Sequence, residues 1–314
     1  MTSTPLYDRD SWPIAAAMIP WPNRLPDGRT AEEQSAEEWA DVLMEVADAG
    51  FTEFDPTDCW LAVADLSPTR RREFAAVAKS VGLSIPAISS FRRSITDPAD
   101  GPRHLAYSHR MIDAAAEFGA TAVSFGFTGA FTAAQQKALW FWSEPGPEHA
   151  NDPELWKLAV GRMRELGRHA GEVGVEIGLE MNDDPFLDSA DKAVRFTREI
   201  DLPSVGINAD VANLIRMHKQ VEHWRSMIEK VAPYMKYWHV KNYLRMEDPR
   251  TGTIVSHPTS LEFGWINYRE ALRIALAHGF NSPFLVEHYG GDGFSITCTN
   301  RDYLRRILPR RRAH

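Results

Sequence analysis

Strand-like and helix-like segments alternate along this chain from end to end, which restricts it to folds assembled from repeated βα units. Short apolar runs rich in Ile, Val, Leu and aromatic residues lie at Trp12–Ile19, Phe51–Phe54, Leu83–Ser89, Ala120–Phe127, Val175–Met181, Ser204–Asp210, Met235–Val240 and Ser282–Glu287. Such unbroken runs fit strands buried on both faces. Helical stretches fall between them, at Ala31–Ala49, Pro68–Val81, Pro102–Phe118, Pro153–Val173, Ser189–Ile200, Gln220–Val231, Tyr268–His278 and Asn300–Leu308. Pro68 follows Ser67 and Pro153 follows Asp152, the order of a cap and a first-turn proline. Gly50, Gly82, Gly119, Gly174 and Gly279 stand where a helix hands over to the next strand. Eight βα units in 314 residues predict a single (β/α)8 barrel over residues 1–314, with a doubly wound sheet as the alternative.

Two connections exceed ordinary βα loops. One follows strand four (residues 128–152, TGAFTAAQQKALWFWSEPGPEHAND) and the other follows strand seven (residues 242–267, NYLRMEDPRTGTIVSHPTSLEFGWIN). Both leave the strand ends that carry active sites in barrels. The first holds Phe131, Trp140, Phe141 and Trp142; the second holds Tyr243, Phe263 and Trp265. Trp142 and Trp265 are therefore candidates for holding an apolar substrate group or a sugar face, and packing of the loops on the barrel is the competing role.

Four metal-type side chains end the last four strand segments: Glu180 in IGLEM, Asp210 in INADVANL, His239 in YWHVKN and Glu287 in FLVEHYGG. Neighbouring strand ends of a barrel converge, and three carboxylates in one pocket repel unless a cation or protons compensate them. This donor set predicts a divalent metal, with Mn2+, Mg2+ or Co2+ favoured and Zn2+ tolerated. Strand parity places Lys241 on the side of His239, Asn182 on that of Glu180 and Asn208 on that of Asp210. Lys241 balances the acids or stabilises an enolate, and Asn182 is a hydrogen-bonding candidate for a sugar hydroxyl. His149, in the strand-four loop, is the candidate base outside the ligand set, with an exposed loop histidine as its bland role. The glycines of HYGGDGFS read as a tight turn rather than a phosphate cradle, since Asp292 stands among them.

Composition excludes other classes. A net charge of −8 argues against a nucleic-acid surface, and the arginines near the C-terminus read as a solvated helix end. Two cysteines form no disulfide framework, and no stretch reaches the roughly 18 apolar residues of a membrane span. The expectation is a cytoplasmic protein with neither nucleic-acid nor membrane partners.

At Glu180, Asp210–Asn213 (D-x-x-N), His239–Asn242 (HVKN) and Val286–Glu287, the chain resembles the xylose-isomerase-like TIM barrels, a superfamily of sugar isomerases, epimerases and endonuclease-IV-like proteins. The resemblance covers essentially the whole chain. It implies one divalent metal on the four acidic and histidine positions. Ketose epimerases commonly have histidine where Asn213 stands, a departure that weighs against the epimerase reading; Asn213 is a substrate-binding candidate, and the histidine-rich multi-zinc set of the endonucleases is absent. Within the superfamily, NADVANL, YWHVKNY, VEHYGGDG and the aromatic strand-four loop look most like the catalytic subunit of bacterial C-glycoside deglycosidases. That resemblance implies manganese, a small β subunit as partner, and cleavage of 3-oxo-C-glycosides of aromatic aglycones.

The expected reaction removes the C2 proton, α to the keto group, and expels the aglycone from C1. His149 is the first-choice base and Glu287 the second, with Lys241 stabilising the enediolate. The alternative is a sugar epimerase or aldose–ketose isomerase in which Glu180 and Glu287 pass the proton. A non-catalytic sugar-binding barrel is the remaining alternative. The substrate in the enzymatic readings is a small glycoside or keto-sugar.

Overall fold

The computed structural model describes residues 6–147 and 152–310. Its strands, in chain order, are β1 (Ile14–Ala17), β2 (Glu53–Asp55), β3 (Ala87–Ser89), β4 (Ala122–Phe125), β5 (Glu176–Glu180), β6 (Val205–Asn208), β7 (Met235–Val240), β8 (Asn242–Asp248), β9 (Thr253–Thr259) and β10 (Phe284–Val286). Eight form one parallel sheet in the order β2-β1-β10-β7-β6-β5-β4-β3. The ends of that order meet: Glu53 bridges Ser84 in parallel, Phe54 N–H donates to Ser84 O at 3.1 Å, and Ser84 N–H donates to Thr52 O at 3.0 Å. The fold is the expected (β/α)8 TIM barrel.

Seven of the eight barrel strands lie within their predicted runs, with β7 coinciding, and β2 extends one residue past its run to Asp55. Two cores hold the barrel. The larger one fills the space between strands and helices, with Trp39, Phe74, Phe196 and Trp238 among its members. A small inner layer of Ala15, Ala17, Ala87, Ala122, Tyr237 and Leu285 plugs the barrel itself. Alanines on β1, β3 and β4 leave room for the Tyr237 ring, and so does Gly178, where a Cβ would come within 2.9 Å of Tyr237 Cβ.

Helix boundaries follow their caps. Ser67 accepts from Arg70 N–H before the helix Pro68–Ser80, and Asp152 accepts from Glu154 and Leu155 N–H before Pro153–Val173. Gly119 and Gly174 end their helices at φ 74° and 77°, which disfavours any residue with a Cβ. The predicted helix Ala31–Ala49 is split into a turn, Ala31–Glu33, and a helix, Ala36–Asp48. Ser35 and Glu38 form a capping box that restarts it. The last helix is Gly293–Ile307, longer than predicted because Asp292 caps it by accepting from Ser295 N–H. Asp292 thus belongs to a helix start, in keeping with the tight-turn reading of the glycine segment.

The connection after β7 differs most from expectation. β8 and β9 form an antiparallel hairpin from Asn242↔Thr259 to Asp248↔Thr253. Asp248 accepts from Arg250 N–H at 2.9 Å, and Gly252 takes φ 71°, which closes the turn. The run Thr253-Ile254-Val255 after a Pro-x-x-Gly turn carried this signal in the sequence. Among the described residues, no helix is long and apolar enough to cross a membrane.

Candidate metal centre

Glu180 closes β5, Asp210 lies just past β6, His239 is on β7 and Glu287 directly follows β10. These strands neighbour one another in the sheet, so the four side chains meet at the C-terminal mouth, all buried. Donor atoms of Glu180, Asp210 and His239 lie within 4.8 Å of one another. His239 Nδ1 is 2.9 Å from Glu287 Oε1 and 3.9 Å from both Glu180 Oε1 and Asp210 Oδ2.

A relay inside the barrel sets the histidine tautomer. Tyr237 OH and Ser89 Oγ–H both donate to Asp55 Oδ2, at 3.0 and 2.6 Å. Ser89 Oγ, its own proton so engaged, faces His239 Nε2 at 3.0 Å and accepts the Nε2–H. Nδ1 is left with a bare lone pair that points at Glu287 Oε1, itself an acceptor, and neither buried atom has a hydrogen-bond partner. Two buried acceptors in contact require a cation or a shared proton between them. A cation about 2.1 Å from each donor sets neighbouring donors about 3 Å apart, the separation of His239 Nδ1 and Glu287 Oε1, while Glu180 and Asp210 stand farther out at 3.9 Å.

Charge leads to the same requirement. Lys241 Nζ donates to Glu287 Oε2 at 2.7 Å and to Asp210 Oδ2. Three buried carboxylates against one ammonium leave two negative charges, the complement of one divalent ion. In the metal-free site protons fill part of that deficit. Burial pushes the Glu180 carboxyl up to about 7, with His239 opposing and Asp210 adding. The Asp210 carboxyl is also raised, chiefly by burial and against the pull of Lys241. Burial disfavours the His239 charge, but Glu287 outweighs it and raises that pKa. Glu287 is held well below the usual carboxylate range: burial opposes its charge, and Lys241 with His239 overcomes that. Asn213 Nδ2–H groups brace the cluster, reaching Glu180 Oε1 at 2.8 Å, Asp210 Oδ2 at 2.9 Å and Met181 O at 3.0 Å. The residues present fit a divalent cation.

A profile of the xylose isomerase-like TIM barrel family matches residues 43–307. A xylose isomerase-like TIM barrel protein from Mycobacterium smegmatis, solved in complex with magnesium, is 43% identical with a TM-score of 0.92, over 96% of this chain and 98% of that one. This chain belongs to the xylose isomerase-like TIM barrel family. Its fold is also that of 3-keto-D-glucoside 4-epimerase from E. coli (16% identity, TM-score 0.65, 94% and 100% covered). D-psicose 3-epimerase from Clostridium cellulolyticum H10 shares it too (13%, 0.64, 95% and 100%). A search of curated proteins returned no match.

Other residues singled out in this family member fall in three places. Lys241 and Asn213 join the ligand cluster itself. Asn182 and Trp142 line a cavity of about 380 Å³ beside it, with Phe131, Trp140, Phe141 and Tyr289. Trp265 does not reach that cavity; its ring packs on His223 and Arg245, at 5.5 and 5.4 Å, and its backbone N–H donates to Tyr243 O. His149 lies outside the described residues.

The strand-four loop forms the cavity wall. Thr132 caps a short helix, Ala133–Lys137, and Trp140 stacks on Trp142 at 4.9 Å. Trp142 in turn meets Tyr243 and Tyr289 edge-on at 5.3 and 5.7 Å. Gly290, at φ 78°, lies against the Trp140 ring, where a Cβ would collide with it.

Sequence reasoning passed over Asp55, Ser89, Arg92 and Arg216. Asp55 and Ser89 end β2 and β3, so the strand-end rule that found the ligands, applied to every strand, finds them too. Nothing local marks the two arginines.

Proposed function

We propose that this chain is a metal-dependent enzyme that removes the proton next to the carbonyl of a keto sugar, in the manner of sugar epimerases and isomerases. The observation that carries this reading is the convergence of Glu180, Asp210, His239 and Glu287 around one point, with the Lys241 ammonium beside it. Manganese or magnesium suits this oxygen-rich set; when bound, the ion supplies Lewis-acid polarisation of the substrate carbonyl. Glu180 and Glu287, the two glutamates of the cluster, take and return the proton. Lys241 stabilises negative charge that develops on the substrate oxygen, at little reorganisation cost because its ion pairs already fix it. His149 is the alternative base. The names of the E. coli and Clostridium proteins support the sugar-epimerase class.

One observation favours a second reading within the same chemistry. The aromatic cavity adjoining the ligands exceeds what a free sugar requires and suits an aromatic aglycone. Elimination of that aglycone from a 3-oxo-C-glycoside starts with the same proton removal; the small β subunit and manganese belong to this reading. The test is to incubate metal-loaded protein separately with a 3-oxo-C-glucoside and with free ketoses, following products by chromatography. Epimerised or isomerised sugar supports the first reading and released aglycone the second. Absence of both, from protein with full metal content, would refute the proposal.

A further inference from the structure

Two arginines face the aromatic cavity, and among the described residues neither forms an ion pair; Arg216 feels Asp210 only as the weakest of its electrostatic influences, behind Tyr243 and Tyr289. Arg216 is only 2% exposed, its Nε has no hydrogen-bond partner, and its one side-chain bond runs from Nη1 to Tyr243 OH at 3.2 Å. Its guanidinium lies 4.8 Å from the Phe141 ring centre and 5.5 Å from that of Tyr289. Arg92 stands at the rim, 3.2 Å over Phe131 and 5.7 Å from the same Phe141 ring. Among the described residues, no carboxylate pairs with either, and the one acid lining the cavity, Asp183, is engaged by Lys219 at 2.6 Å.

The placement of Arg92 is built. It takes φ 51°, a left-handed conformation that disfavours a residue with a Cβ. Its neighbours are pinned by one buried acid: Asp58 accepts from Phe91 N–H at 2.6 Å and from Arg93 Nε–H at 2.7 Å. Arg93 is thereby turned onto the Tyr107 ring, and Arg92 is left alone toward the cavity. Desolvation lowers the Arg92 pKa to about 10, with Tyr289 opposing and the Arg216 charge adding. Arg216 is the costly one, a buried guanidinium with an empty Nε that an anion arriving with the ligand would satisfy, while Arg92, exposed at the rim, stays partly solvated until then.

We infer that the cavity receives an aromatic group bearing a carboxylate, held by Arg92 and Arg216, so that the sugar processed at the ligand cluster carries an anionic aromatic substituent. The inference rests on the proposed keto-sugar chemistry for the sugar half only. The ring lies among Phe131, Trp140, Phe141 and Tyr289, while guanidinium N–H groups match carboxylate geometry and stay charged throughout the physiological range.

The probes are 2-naphthoate and its neutral isostere 2-naphthamide, titrated into magnesium-loaded protein with binding read by ligand-observed NMR. Naphthoate should bind about tenfold more tightly or better, the effect of one charge-assisted contact. Arg92→Gln should remove most of that preference at unchanged metal content, and Arg216→Gln the rest. Should Arg216→Gln fail to fold, Arg92→Gln at the rim still decides. Equal binding of acid and amide overturns the inference, as does inorganic phosphate binding as tightly as naphthoate. Acid preference without turnover of any keto sugar upholds this inference and condemns the proposed reaction; turnover without acid preference does the reverse.

Discussion

Replacing Lys241 with methionine tests whether its ammonium compensates the carboxylate cluster. Nζ contacts both Asp210 and Glu287, and its removal leaves three buried carboxylates facing His239 alone. Deleting one partner of a buried ion pair costs about 3–5 kcal/mol. Metal-free Lys241→Met at pH 8 should lose that much in urea unfolding followed by tryptophan fluorescence. The pH dependence has a definite sign. Glu287 is depressed below its ordinary 4.5, so its ionised form contributes stability above that pH and loses it as pH falls through the folded value. The variant lacks most of this contribution, so its deficit is largest near neutrality and shrinks in acid. Saturating Mg2+ should also shrink it, because two positive charges enter the same cluster. Metal-free variant and wild type of equal stability at pH 8 would refute the reasoning.

Three further outcomes follow from the same geometry. Asn213→Leu removes the amide donor shared by Glu180, Asp210 and Met181 O, and should weaken Mg2+ binding about 10–100-fold by calorimetry; unchanged affinity would remove Asn213 from the site's support. The metal takes the carboxylate form of Glu180, whose pKa is near 7 without metal, so affinity should fall by up to about tenfold per pH unit below pH 7, with proton release measurable in buffers of different ionisation enthalpy; a flat profile between pH 5 and about 8 would contradict it. Gly290→Ala combines φ 78° with a collision on Trp140. It should shift tryptophan emission and naphthoate binding while leaving Mg2+ affinity within about twofold; loss of metal binding would show that the strand-four loop supports the ligands.

Much of the site was legible because a barrel turns strand order into spatial order. Glu180, Asp210, His239 and Glu287 each lie at or within two residues of the C-terminal end of a strand, and the period of two along β7 put Lys241 beside His239, where it reaches Asp210 and Glu287. Parity also placed Asn208 correctly in kind: it faces the barrel interior, accepts from His239 N–H at 2.8 Å and donates to Ser124 Oγ at 2.9 Å. The relay Asp55–Ser89–His239 was hidden because its members come from β2, β3 and β7, and only closure between β2 and β3 brings them together. The β8–β9 hairpin was passed over as loop although its turn and β-branched run were present. Arg92 and Arg216 were invisible for a different reason. An unpaired arginine is defined by what does not surround it, and no local pattern encodes that.

In the proposed reaction the quartet and its cation activate the hydrogen next to a sugar carbonyl, whichever product follows. The most direct measurement is proton–deuterium exchange into a 3-oxo-glucoside in D2O, followed by NMR with Mg2+- or Mn2+-loaded wild type, EDTA-treated wild type and His239→Ala. Exchange at the carbon beside the keto group is expected only in the metal-loaded wild type. Exchange that survives both EDTA and His239→Ala, or none from the fully loaded enzyme, would contradict it.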